Sequence, residues 1–273
     1  MFLLNGEPDG RLDIADRGFQ YGDGLFETLE VVNGKPLFLE QHLARLQVGC
    51  KTLLIPAPNI QLLTAEALQC AASAAHAVLK LILSRGSGGR GYRLPAEVSP
   101  TRLFTLHPYP DYPAEFQYQG VVLCFCQHRL PENPLLAGIK HLNRLDQILA
   151  RAEWREDGIQ EGLMLDNRGF VIEGTMSNLF LVSKGILYTP DISRCGVAGI
   201  ARELVMELAR QQGIPVQIAD MNMLAVIEAD ELFICNSVLG IWPVRQLELQ
   251  HWQPGPITGT LQKLYEARRE AEF

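Results

Sequence analysis

A few cationic and acidic side chains carry the chemistry that this sequence could perform. Lys80 lies inside the apolar run VLKLI at 78–82, and buried lysines are rare unless paired. Either a ligand carboxylate supplies a partner or that strand face is open to solvent. Further on, GSGGRG at 86–91 has the spacing of a dinucleotide-binding loop and follows an apolar strand. Such a loop must open a helix whose N-terminus holds a pyrophosphate. Here Pro95 follows and no amphipathic period begins. Tyr92-Arg93 stands where a phosphate loop requires Lys-Ser/Thr. What remains is a glycine loop, either a solvated turn or a mobile cover that carries Arg85, Arg90 and Arg93 to an anion. Lys140, in GIKHLNRL at 138–145, precedes a helix and by itself reads as a surface lysine. Glu173, directly after the apolar run FVI at 170–172, reads by itself as a turn carboxylate. Arg45 lies in HLARL at 42–46. Cys124 and Cys126 share a strand face, but one such pair without a second Cys/His pair is a packing pattern, so no metal is expected.

These residues need elements to hold them. Strand signals stand at 2–4 before Asn5-Gly6 and at 26–32 before Asn33-Gly34, with a return strand at 36–38. Leu43, Leu46, Leu53 and Leu54 predict an amphipathic helix over 40–54, ended by Pro56 and Pro58. A second helix is expected over 61–75, and strands at 77–83 and 103–106. The proline-rich stretch 108–119 suits neither a helix interior nor a strand and reads as a linker. It separates a smaller lobe, 1–107, from a larger one, 120–273, which would carry Lys140. In the second lobe, strands are expected at 120–126, 162–165, 170–172, 179–182, 186–188 and 231–235. Helices are expected at 143–154, 199–212, 220–228 and 258–270. The irregular alternation predicts a mixed α/β (α+β) fold of two lobes.

The chain has 273 residues, 47% hydrophobic and 20% charged, with net charge −7. That composition excludes a disordered chain, a fibre and a long coiled coil. The negative total disfavours broad contact with a nucleic-acid backbone but not a local cationic pocket. No apolar run approaches the ~20 residues of a membrane span, and the start MFLL lacks a basic leader. Six scattered cysteines predict buried, reduced thiols and a cytoplasmic protein.

Taken together, YGDGLFET at 21–28, HLARL at 42–46, Lys140, EGTMSNLF at 173–180 and GIAR at 199–202 resemble the fold-type IV pyridoxal-phosphate enzymes. The blocks occur in that family's order over almost the whole chain. Within the family, SRGSGGRGY at 84–92, GIKHLNRL and ICN at 234–236 are most similar to the aminodeoxychorismate lyases. The resemblance implies two lobes with pyridoxal 5'-phosphate between them, a small anionic substrate and a homodimer, with no nucleic acid and no membrane. It implies that Lys140 anchors the cofactor covalently and moves the substrate proton. Glu173 would pair with the pyridine nitrogen. Arg45, Ile200, Ala201, Asn236 and Ser237 would hold the phosphate. Thr28 would protonate the leaving group, although its strand context alone accounts for a β-branched residue. Lys80 and Arg90 would receive substrate carboxylates. The aminotransferase branch carries a tyrosine five residues after the lysine, where this chain has Leu145. The implied activity is elimination of pyruvate from 4-amino-4-deoxychorismate to give 4-aminobenzoate for folate synthesis. A D-amino-acid or branched-chain aminotransferase, or a non-catalytic binder of the cofactor, stands as the alternative.

Overall fold

The computed structural model describes residues 1–155 and 158–272; the expected range 120–273 runs through residues 156, 157 and 273, which lie outside them. The chain divides into two compact units.

The first unit contains Met1–Pro110 together with Ile139–Asn143. Its elements are β1 (Phe2–Leu4), α1 (Arg17–Tyr21), β2 (Gly24–Val32), β3 (Lys35–Pro36), α2 (Leu39–Leu53), α3 (Ile60–Ala71), β4 (His76–Ser84) and β5 (Thr101–Pro108). They build a five-stranded sheet in the order β1-β5-β4-β2-β3. Asn33 and Gly34, both at positive φ, turn β2 into β3 as a two-residue hairpin requires. Asn5 and Gly6, also at positive φ, form the expected turn, closed by reciprocal hydrogen bonds between Leu4 and Glu7 at 2.8 and 3.0 Å, and β1 pairs along its length antiparallel with β5. On one face of β2, Leu25, Leu29 and Val31 are buried, and α2 packs close enough that a Cβ on Gly49 would lie 2.7 Å from Leu25. The other face carries the half-buried Phe26 and Thr28. Asn59 caps α3 by accepting from the Gln61 N–H at 2.7 Å.

The segment that bears Lys140 belongs to this first unit, not to the larger lobe as its place in the sequence implied. The Phe26 N–H donates to the Lys140 carbonyl and the Leu142 N–H to the Gly24 carbonyl, both at 3.0 Å. A short stretch of backbone thereby pairs with β2, and local sequence cannot announce such a long-range bridge.

The second unit holds Asp111–Gly138 and Arg144–Ala271. Its elements are α4 (Glu115–Tyr118), β6 (Val121–Leu130), α5 (Leu145–Arg151), β7 (Glu161–Asp166), β8 (Val171–Gly174), β9 (Asn178–Ser183), β10 (Ile186–Pro190), α6 (Ile200–Gln211), β11 (Val216–Ala219), α7 (Met223–Ile227), β12 (Glu231–Asn236), β13 (Gly240–Leu247), β14 (Gln250–His251) and α8 (Pro256–Glu270). The main sheet runs β11-β10-β9-β12-β13-β6-β7-β8. Its core includes Leu179, Leu181, Leu232, Ile234, Trp242 and Leu163. Strand β13 was not expected because Pro243 interrupts its pattern. The proline is accommodated where β13 has one partner: Pro243 faces Phe233 of β12, while pairing with β6 starts at Val244. The proline-rich stretch is not purely linker, since β5 extends to Pro108 and α4 lies within it. No helix among the described residues is long and apolar enough to cross a membrane.

Candidate active site

In the first unit, three chemically capable side chains gather on the open face of the sheet. Thr28 of β2 is the cross-strand partner of Lys80 of β4. The Lys80 Nζ lies 5.4 Å from the centre of the Phe26 ring, and the Lys140 Nζ lies 4.4 Å from the same centre. Two lysine nitrogens thus lie close to one aromatic ring, whose quadrupole favours a cation there. Lys80 is half-buried and makes no ion pair with any described residue.

Arg45 of α2 binds Glu27 of β2. Its Nε donates to Glu27 Oε1 at 2.9 Å, and its Nη2 donates to Glu27 Oε2. His42 Nδ1 contacts that Oε2 at 2.7 Å. Glu27 and His42 are both 1% exposed. Burial alone would raise the Glu27 carboxyl, but the Arg45 charge and the His42 hydrogen bond outweigh it and hold the group at about 2. Burial pushes His42 below its ordinary value, and the charges of Arg45 and Lys140 act in the same direction, against Glu27. Neither Glu27 nor His42 was assigned a role from sequence. The available signal was a carboxylate inside the apolar strand FETLEVV.

The arginines of the glycine loop separate. Arg85 is 3% exposed, with Nε and Nη2 on Asp23 and its other donors on the Leu53 and Leu54 carbonyls. It is structural and does not reach over a cleft. Arg17 also holds Asp23 and donates to the Gly91 carbonyl at 2.9 Å, which ties down the end of the loop. Arg90 is exposed, and no contact ties it to Lys80. A Cβ on Gly86 would lie 2.0 Å from the Ser99 carbonyl oxygen, so close approach of the backbone explains that glycine.

In the second unit, a second group collects where β8, β9 and β12 end or begin. Glu173, 4% exposed, accepts from the Val197 N–H at 2.8 Å. Arg144 lies within its field: burial pushes that guanidinium below its ordinary range, and Glu173 and Asp146 pull the other way. The turn after Glu173 is pinned by the buried Glu161, which accepts from the Thr175 N–H and hydroxyl, the Met176 N–H and the Ser177 hydroxyl. Asn178 links this turn to α6. Its Nδ2 donates to the Val197 carbonyl at 3.0 Å, and its Oδ1 stands where a Cβ of Gly199 would be, 1.9 Å away. Gly199 therefore caps α6 with no side chain, and the first N–H groups of the helix, those of Ile200 and Ala201, lack a side-chain cap. Asn178 faces Cys235 across the sheet, next to Asn236. The Asn236 Oδ1 accepts from the Val238 and Leu239 N–H groups at 2.8 Å, and its Nδ2 donates to the Met176 carbonyl. Its side chain is thus occupied in shaping the turn that presents Ser237. Arg144, Glu161 and Asn178 were not singled out from sequence, because each acts through partners distant in the chain. Leu145, 72% exposed at the start of α5, brings no polar group to its position.

In the first unit an amine suits an aldehyde; in the second, a buried carboxylate and an uncapped helix N-terminus suit a ring nitrogen and a phosphate. The chain matches the family described as amino-transferase class IV over residues 24–247. It is 37% identical to the aminodeoxychorismate lyase of Vibrio harveyi over 244 residues, covering 89% of this chain and 90% of that one. Its structure is similar to that of 4-amino-4-deoxychorismate lyase from Pseudomonas aeruginosa, with TM-score 0.94 and 48% identity over 100% of both chains. It is also similar to the branched-chain amino acid aminotransferase of Escherichia coli, with TM-score 0.88 and 26% identity, over 99% of this chain and 95% of that one.

Proposed function

The chain belongs to the class IV aminotransferase family of pyridoxal-phosphate enzymes, and we propose that its reaction is the lyase one: 4-amino-4-deoxychorismate gives 4-aminobenzoate and pyruvate, a step of folate synthesis. The observation that carries this reading is the pair Lys140 and Lys80 beside the Phe26 ring, an amine able to bond an aldehyde next to a cation that makes no ion pair among the described residues and suits a substrate carboxylate. Similarity over 89% and 100% of the chain to two enzymes named as such lyases supports it.

The donor set fits pyridoxal phosphate. Lys140 would hold its aldehyde carbon, Glu173 its pyridine nitrogen, and the backbone at Ile200 and Ala201, with the Asn236–Ser237 turn, its phosphate. Arg45, whose guanidinium is fixed by Glu27, adds positive charge for that phosphate. When bound, the cofactor supplies an electron sink for a carbanion. The Lys140 amine, freed when the substrate amine takes its place, would then take the proton from the ring carbon that bears the substrate nitrogen. The bond from the neighbouring ring carbon to the enolpyruvyl oxygen breaks, and the Thr28 hydroxyl protonates the leaving group, which ends as pyruvate. Aromatisation of the ring drives the reaction forward. Lys80 and Arg90 receive the two substrate carboxylates. Five buried cysteines and one half-buried one, all as free thiols, support a cytoplasmic location. The protein is a homodimer in this reading.

Incubation of the purified enzyme with 4-amino-4-deoxychorismate should yield 4-aminobenzoate and pyruvate in equal amounts. Lys140→Ala should abolish the cofactor's visible absorbance and reduce turnover by at least about 10⁴-fold. Amino transfer to 2-oxoglutarate at enzyme-like rates, with no 4-aminobenzoate formed, would favour the aminotransferase reading. A fully active Lys140→Ala variant would refute both.

A further inference from the structure

Lys80 does not stand alone on its strand. β4 lies between β2 and β5, and Lys80 is paired with Thr28 on one side and with Thr105 on the other. Residues directly opposite in a sheet project to the same face with Cβ atoms about 5 Å apart. The open face therefore carries a polar row, Thr28–Lys80–Thr105, flanked by the apolar Phe26, Ile82 and Leu103. Two residues after Thr105, His107 projects to that face as well, and its Nε2 lies 2.8 Å from the Thr105 hydroxyl. The nearest carboxylate along β2 on this face, Glu30, is engaged by His76 at 2.7 Å and does not neutralise Lys80.

We propose that Thr105, oriented by His107, joins Lys80 to form a two-donor subsite for a carboxylate of the substrate. The inference rests on the lyase reading and deepens it by assigning residues outside the set already named. Its chemistry follows from the capacity of a hydroxyl, which has one proton to give. If the Thr105 hydroxyl donates to His107, it can only accept from elsewhere and cannot bind an anion. If the His107 Nε2–H donates to the Thr105 oxygen, the hydroxyl proton is released towards the position beside Lys80. An anion there selects the second arrangement, in which the imidazole carries its proton on Nε2. Lys80 supplies the charge as a point donor with a flexible stem, and Thr105 fixes where the carboxylate lies. Thr105 is a binding residue in this scheme. His107 is a positioning residue that acts through it.

The test uses the cofactor-loaded enzyme and two pairs of probes: 4-aminobenzoate against aniline for the ring carboxylate, and pyruvate against acetone for the enolpyruvyl one. Each is titrated calorimetrically. In one pair the carboxylate should improve affinity, and that advantage should shrink about tenfold in Lys80→Met and about fivefold in Thr105→Val. His107→Ala should lose part of the advantage, and His107→Gln, which keeps a side-chain donor, should restore some of it. With 4-amino-4-deoxychorismate, the losses should fall on KM more than on kcat. Retained visible absorbance and melting temperature identify variants that are folded and loaded, and His107, being exposed, can be changed without a cost in the core. The pair that responds identifies which carboxylate is bound. If neither pair responds to Thr105→Val or His107→Ala while the wild-type enzyme makes 4-aminobenzoate, the subsite is overturned and the lyase reading stands. A wild-type enzyme that makes no 4-aminobenzoate overturns both.

Discussion

Glu27 sits where three requirements meet. It orients Arg45, holds His42 by Nδ1, and remains ionised although buried. A carboxylate whose value drops on folding contributes stability that is complete above its ordinary value of 4.5 and is lost as the pH falls towards about 2. His42, kept below its ordinary value of 6.5 mainly by burial, loses stability in the same direction, because acid must charge a group that the fold holds neutral. Denaturant midpoints should therefore decline as the pH is lowered from 7 to 3. Glu27→Gln should be less stable at pH 7 and should show a flatter decline between pH 5 and 3. Equal slopes for the two proteins would contradict the argument. The sequence revealed that Glu27 was a carboxylate in an apolar strand. It could not reveal that α2 would bring a histidine and an arginine beneath it, since that contact depends on how the helix packs.

At the scale of elements, the start of α6 shows how a turn, a strand and a helix are made to agree. Gly199 has no Cβ because Asn178 occupies that space, and Asn178 in turn binds the Val197 carbonyl while the Val197 N–H binds Glu173. Gly199→Ala should displace Asn178 and disturb both the helix N-terminus and the Glu173 contact. The expected result is a folded protein whose affinity for pyridoxal phosphate is at least about tenfold weaker, read by titration of the visible absorbance. Adding Asn178→Ala should remove the clash and recover part of the loss; a double variant no better than the single one would show that the collision is not the cause. Most strands and helices of both units were legible from apolar period and turn residues. β13 was not, because Pro243 masks its pattern and the fold accommodates that proline where β6 has not yet joined. α5 ends at Arg151, earlier than its apolar period suggested.

For the whole molecule, the net charge of −7 on 273 residues hides a local concentration of positive charge at Lys80 and Lys140. The proposed homodimer predicts a light-scattering mass of about twice 30.4 kDa for the loaded enzyme; a mass equal to one chain at assay concentration would remove the dimer from the reading. By itself, the sequence determined the family and the mixed α/β class and supplied the lysine, carboxylate and arginine of the proposed chemistry as candidates, because ordered blocks and apolar periods are written locally along the chain. Only the tertiary structure decided that Lys140 sits with the first unit, that Arg85 is a structural ligand of Asp23, and that Thr28, Lys80 and Thr105 form one row. Those facts depend on strand register and backbone pairing between segments far apart in sequence, and a register shift of one residue would turn every one of those side chains to the other face.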